Sequence, residues 1–162
     1  MKLALDIGTA SPLWRKLPRA RTLARETIAA CVVESGLEAS DGVEVSLLLT
    51  GDAEVRALNA RWRGQDKATN VLSFPAAPID RPGEQHMLGD IALAFETLAR
   101  EAEASAVPLA DHYRHLVAHG FLHLIGYDHQ TDEEAERMEA LEKRILARLG
   151  VADPYADGAD TA

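Results

Sequence analysis

Apolar residues recur along this chain first at helical spacing, then in short alternating or continuous runs, then at helical spacing again as far as Leu149. Residues 2–7 read as a short edge strand. From Pro18, suited to the first turn of a helix, Leu23, Thr27, Ile28, Cys31 and Val32 share one face until Gly36 ends the pattern. Segment 43–50, VEVSLLLT, alternates and then becomes continuously apolar, which predicts a strand buried on both faces toward its end. A short helix over 52–61 turns Val55 and Leu58 inward. Two further strands are expected at 70–74 and 88–95, the first stopped by Pro75. Between them, AAPIDRPGEQHM has the composition of a turn-rich polar loop.

The remainder predicts helices. One covers 96–106. Pro108 opens the next, which carries Leu109, Tyr113, Leu116, Val117, Gly120 and Leu124 on one face. Thr131 and Glu134 have the spacing of a capping box, and Met138, Leu141, Ile145 and Leu149 carry a last helix to Gly150. Few strands among many helices, without sustained alternation, predict one α+β domain over residues 1–150, a small mixed β-sheet packed by helices. Residues 151–162 are expected to form a flexible tail.

At 162 residues the chain has room for one sizeable core. Seventeen Lys and Arg against 26 Asp and Glu give a net charge of −9, which argues against indiscriminate nucleic-acid binding through global charge. Local basic surfaces remain open to it. Cys31 has no second cysteine to pair with, so an internal disulfide is excluded; on an apolar helical face it reads as a small buried side chain. No stretch approaches the length of a membrane span, and Asp6 interrupts the apolar start where a signal peptide would need continuity. A cytoplasmic protein without membrane contact is expected.

The chemistry concentrates in HGFLHLIGYDH, residues 119–129. Positions four apart on a helix are rotated by only about 40° and raised by about 6 Å, so His119 and His123 can lean onto one ion. His115 lies on the same stripe, but about 12 Å of rise would separate it from His123, too far for two bonds of about 2.0–2.1 Å. A third ligand therefore needs a chain reversal, which Gly126 permits by taking the left-handed conformation, and His129 then arrives from the loop. The expected metal cleft is formed by the histidine-bearing helix and the loop after it. Three neutral imidazoles leave one tetrahedral position for water, the arrangement of a catalytic zinc site. His112 and His115 are read as neighbours, either donors behind the ligands or residues of the cleft wall.

The spacing HxxxHxxGxxH matches that of zinc peptidases, except that Gly120 stands where their glutamate base would be. Asp128 is a candidate to orient His129 or act on water, or simply to cap its loop. Arg61, Arg63 and Lys67 gather around a turn, and arginine offers a planar fork suited to phosphate oxygens. Arg15, Lys16, Arg19, Arg21 and Arg25 form a second basic run that would suit contact with an RNA backbone.

Together these segments resemble a known family. HGFLHLIGYDH matches throughout the signature HGxLHLxGYDH of the YbeY endoribonucleases, and LNARWRGQDKATNVLSFP and LGDIAL match their other hallmark segments in the same order, over roughly residues 40–150. The resemblance implies a zinc-dependent, single-strand-specific endoribonuclease, with one ion per chain, that matures the 3′ end of 16S rRNA and serves ribosome quality control. By position it makes His119, His123 and His129 the zinc ligands and Arg63 the catalytic arginine. It implies pre-rRNA, the small ribosomal subunit and its assembly factors as partners. Two other readings stay open: a metal hydrolase of another substrate, peptide included, and a noncatalytic assembly factor stabilised by zinc.

Overall fold

The strand Val43–Thr50 (β2) lies inside a four-stranded sheet, with Leu3–Thr9 (β1) parallel on one side and His86–Ala94 (β4) parallel on the other. Val71–Pro75 (β3) runs antiparallel along the far edge of β4, so the order is β1-β2-β4-β3. This is a computed structural model that describes residues 3–37, 42–76 and 86–155. The mixed sheet and its helices make the expected α+β fold, with β1 at an edge as the sequence suggested. The helices are α1 (Ala20–Ser35), α2 (Asp52–Arg63), α3 (Phe95–Ala104), α4 (Leu109–Leu124) and α5 (Asp132–Arg148).

Period-two alternation sends the two sets of strand side chains to unequal cores. Val45, Leu47, Leu49, Ile91 and Leu93 join the larger one, with α1, α4 and α5 contributing Ile28, Val117, Phe121, Met138 and Ile145. Each such side chain, fully buried, contributes about 1.5–3 kcal/mol, so this layer dominates stability. The other face holds a small cluster of Val55, Leu72, Ala92 and Ala94, with Leu48, Leu58 and Phe74 partly buried beside it. Leu48 was expected to be enclosed; it stays half-buried because α2 supplies the helical partner in this cluster. Trp62 on α2 is 62% exposed.

Helix boundaries follow local chemistry. Gly36 and Gly64 close α1 and α2 in the left-handed conformation, and Thr131 with Glu134 forms the expected reciprocal capping box of α5. The expected helix from Pro18 begins instead at Ala20, because Pro12–Lys16 forms a short 3-10 helix. Its Trp14 is buried edge-on against Phe95 and Tyr113 and donates its indole N–H to the Thr50 carbonyl at 2.8 Å. Cys31 is fully buried, and burial pushes its thiol well up, so it is the inert side chain anticipated. Most of the loop AAPIDRPGEQHM lies outside the described residues, while His86 and Met87 belong to β4.

Residues 151–155 depart from the flexible tail expected there. Val151 is buried and its N–H bonds the Leu146 carbonyl at 2.9 Å, which folds the chain back along α5. Residues 156–162 lie outside the described residues. Among the described residues, no helix is long and apolar enough to cross a membrane.

Candidate metal centre

α4 is buried on most of its surface, and the strip it leaves accessible carries His112, His115, His119 and His123. Tyr113, Leu116, Val117, Phe121 and Leu122 fix the rotation of the helix, and that rotation aims the histidines. The reversal predicted after Leu124 is present. Gly126 has φ 101°, and the N–H groups of Gly126 and Tyr127 bond back to the His123 and Leu122 carbonyls at 3.2 and 3.0 Å. His129 is thereby delivered beside the pair from the helix.

Ring nitrogens of His119, His123 and His129 all lie within 4.8 Å of one another. His119 Nε2 and His123 Nε2 are 3.1 Å apart. Two ligands with bonds of about 2.0–2.1 Å at a tetrahedral angle stand about 3.3 Å apart, so this pair already has the spacing that one ion requires. The His119 ring lies near-parallel to that of His129 at 5.8 Å. Burial pushes the His123 imidazole below its ordinary range, helped by His119 and His129 and opposed by a hydrogen bond to the Tyr127 backbone and by Asp128. A neutral imidazole is the form that binds a metal. Donor set and spacing both fit a divalent ion favouring nitrogen ligands.

Behind the trio stands a residue that the sequence reading did not single out. Glu142 of α5 is 1% exposed, and its Oε2 accepts from His119 Nδ1 and His115 Nε2, both at 3.1 Å. Its Oε1 accepts from the Tyr155 hydroxyl at 2.8 Å. Burial alone would raise this carboxyl, but the hydrogen bonds and charges of His115 and His119 outweigh it and hold the group at about 2. With Nδ1–H committed to the carboxylate, His119 presents Nε2 to the cleft. His115 thus shares the Glu142 carboxylate with His119, whereas His112 bonds Glu101 at 2.9 Å. Asp128 accepts the His129 backbone N–H at 2.8 Å, as a loop cap does, and also lines the cleft.

The trio opens into a cleft of about 680 Å³ whose opposite wall comes from the end of α2, the following loop and β3. Arg63 and Lys67 line it; Arg61 instead lies over the Trp62 ring, and the basic run Arg15–Arg25 is exposed elsewhere. The Arg63 guanidinium donates to the Ser73 carbonyl and rests 5.4 Å from the centre of the Phe74 ring. Ser73 Oγ in turn donates to the Gly120 carbonyl at 2.9 Å, next to His119. Two hydrogen bonds therefore tie the arginine to the ligand-bearing helix.

Gly120 is where α4 meets the sheet. A Cβ there would lie 2.9 Å from Ile91 Cγ2, 3.2 Å from Ser73 Oγ and 3.3 Å from Val71 Cγ2. Even a Cβ would force a neighbour to shift, so the longer glutamate of the peptidase pattern, absent from the sequence, is also opposed by packing.

Fold and site define an α+β protein with a cluster of three histidines that could hold a metal ion, in a cleft faced by arginine and lysine. Residues 15–150 match the family model described as Endoribonuclease YbeY, and the chain belongs to that family. A relative of that name from Bradyrhizobium sp. strain BTAi1 is 51% identical over 156 residues, covering 94% of this chain and 92% of its own. Another from Rhizobium meliloti strain 1021 is 61% identical over 120 residues, covering 73% and 71%. The solution structure of TM1509 from Thermotoga maritima shares the fold, with a TM-score of 0.55 at 23% identity over 94% of this chain and 98% of that one.

Proposed function

We propose that the chain is a zinc-dependent endoribonuclease that cuts single-stranded RNA, with His119, His123 and His129 as metal ligands and Arg63 as the catalytic arginine. Membership of an endoribonuclease family makes it a hydrolase of RNA phosphodiesters. The observation that carries the residue assignment is the convergence of three imidazoles opposite a tethered guanidinium in one cleft.

When bound, the ion would supply Lewis-acid polarisation of a phosphoryl oxygen or a lowered pKa for water. The protein's own groups do the rest. Arg63 is held by the Ser73 carbonyl and the Phe74 face, which orients its remaining N–H donors before substrate arrives. Aimed at a phosphate, that fork stabilises the charge that builds up as the phosphodiester is attacked. Lys67 adds a second positive charge on the same wall. The cleft is open and a net charge of −9 surrounds it, so RNA recognition rests on this local cationic wall.

Following the family resemblance, the reading extends to 3′-end maturation of 16S rRNA and ribosome quality control in the cytoplasm, with the small subunit and its assembly factors as partners. The test is cleavage of single-stranded RNA by wild type, His119→Ala and Arg63→Ala, purified identically so that contaminating ribonuclease is visible. Both variants should lose activity, and His119→Ala should also lose zinc. Cleavage unchanged in either variant removes that residue from the mechanism. Product ends identify the attacking group: a 2′,3′-cyclic phosphate indicates the ribose hydroxyl, a 5′-phosphate indicates water.

A further inference from the structure

We propose that the chain after α5, Val151–Tyr155, is a working part of the metal centre: it seats Glu142, and Glu142 is the positioning residue that holds His119 in its ligand pose. The inference rests on the metal-site reading above. A carboxylate with 1% exposure on the apolar side of a helix is costly unless every oxygen is satisfied. Oε2 has two imidazole donors. For Oε1, the Tyr155 hydroxyl at 2.8 Å is the partner found among the described residues. Tyr155 therefore decides how the carboxylate is turned, and the carboxylate decides how the His119 ring is turned.

The segment is built to bring that hydroxyl in. Val151 anchors its start on Leu146 at 2.9 Å, and Tyr155 N–H bonds Asp153 Oδ1 at 2.8 Å. The Tyr155 ring sits edge-on to His115 at 5.6 Å and 5.9 Å from Lys143 Nζ. The same Lys143 ammonium reaches Asp153 at 3.9 Å. Coupling of this kind is reciprocal: if docking of the segment tightens metal binding, metal binding tightens the dock by the same factor.

The experiment uses the full chain and zinc alone, with affinity read by competition against a chromogenic chelator. Tyr155→Phe keeps the ring and removes one hydroxyl; Glu142→Gln keeps the shape and removes the charge. His112→Ala, on the same helix but bonded to Glu101, is the control. Removing a partner of a ligating histidine typically costs about 10- to 100-fold in metal affinity, the loss expected for Glu142→Gln. Tyr155→Phe should weaken binding by several-fold and, because Oε1 loses its donor, also lower the urea midpoint of the chelated protein, whereas His112→Ala should bind as wild type. Zinc should also slow amide exchange across 151–155 in wild type. Wild-type zinc affinity in Tyr155→Phe, or zinc that leaves amide exchange across 151–155 unchanged in wild type, overturns the inference while leaving the metal site intact. Absence of zinc binding by wild type overturns the site reading itself. Should Glu142→Gln fail to fold, the Tyr155 hydroxyl still carries the test.

Discussion

Replacing Gly120 with alanine adds one methyl group to the tightest approach between α4 and the sheet, and two opposing effects set the outcome. An alanine in a helix interior is favoured over glycine by about 1 kcal/mol. Against this, the new Cβ would stand 2.9 Å from Ile91 Cγ2 and 3.3 Å from Val71 Cγ2, where carbon contacts prefer about 3.5–4.0 Å. Overpacking of a dense core costs typically about 1–3 kcal/mol. Because the closest neighbour, Ile91, stands on β4, which is paired along both edges, the upper half of that range applies, and Gly120→Ala should be destabilised by about 1–2 kcal/mol. The chelated protein would melt roughly 2–8 °C lower. Activity should fall further than stability, since the displaced turn carries His119 and the Gly120 carbonyl that holds Ser73. Urea denaturation of chelated wild type and variant, with RNA cleavage on the same preparations, measures both. A variant more stable than wild type by 0.5 kcal/mol or more would mean that the helix preference is realised without a clash, and the account of the contact would be refuted.

Other outcomes follow from the site. Arg63→Lys keeps a charge but loses the planar fork, so cleavage should fall by about 10²-fold or more while zinc content and melting stay near wild type; full activity would make the contact merely electrostatic. Zinc at 100 times its Kd should raise wild-type stability by about 2.7 kcal/mol, and His129→Ala, altered at an exposed loop position, should show most of that gain lost with little change in the chelated protein. Glu142 has a folded pKa of about 2 against an ordinary 4.5, so the stability it contributes is present above about pH 4.5 and is lost as pH falls through about 2. In chelated protein, the gap between wild type and Glu142→Gln should shrink across that window by on the order of 3 kcal/mol; parallel pH profiles would contradict the pairing.

Local spacing carried the histidine trio into view, because an i, i+4 pair and a glycine reversal are properties of eleven consecutive residues. Arg63 was legible as chemistry, but its position required the sheet order, since β3 must pair with β4 before Ser73 can connect α2 to α4. Glu142 left a signal that went unread: it follows Leu141 and precedes Ile145 on the face of α5 that enters the core, and a lone carboxylate on such a stripe marks a buried partner. Tyr155 left none. It lies past the last helix in a segment whose composition resembles any polar terminus, and its partners are 13 and 40 residues away in sequence. Asp128 was read as orienting His129, acting on water or capping its loop; it accepts the His129 backbone N–H and also lines the cleft.

The two walls of the cleft differ in how firmly they are secured. β3 is five residues long and terminal in its sheet, laddered to β4 on one side, whereas α4 is enclosed by sheet and helices along its length. Transient opening should begin on the strand side, so amides of Val71–Phe74 should exchange with solvent sooner than those of Tyr113–Leu122. His119 and His123 thus stand on the better-secured bank, and breathing of the cleft should be taken up on the strand side.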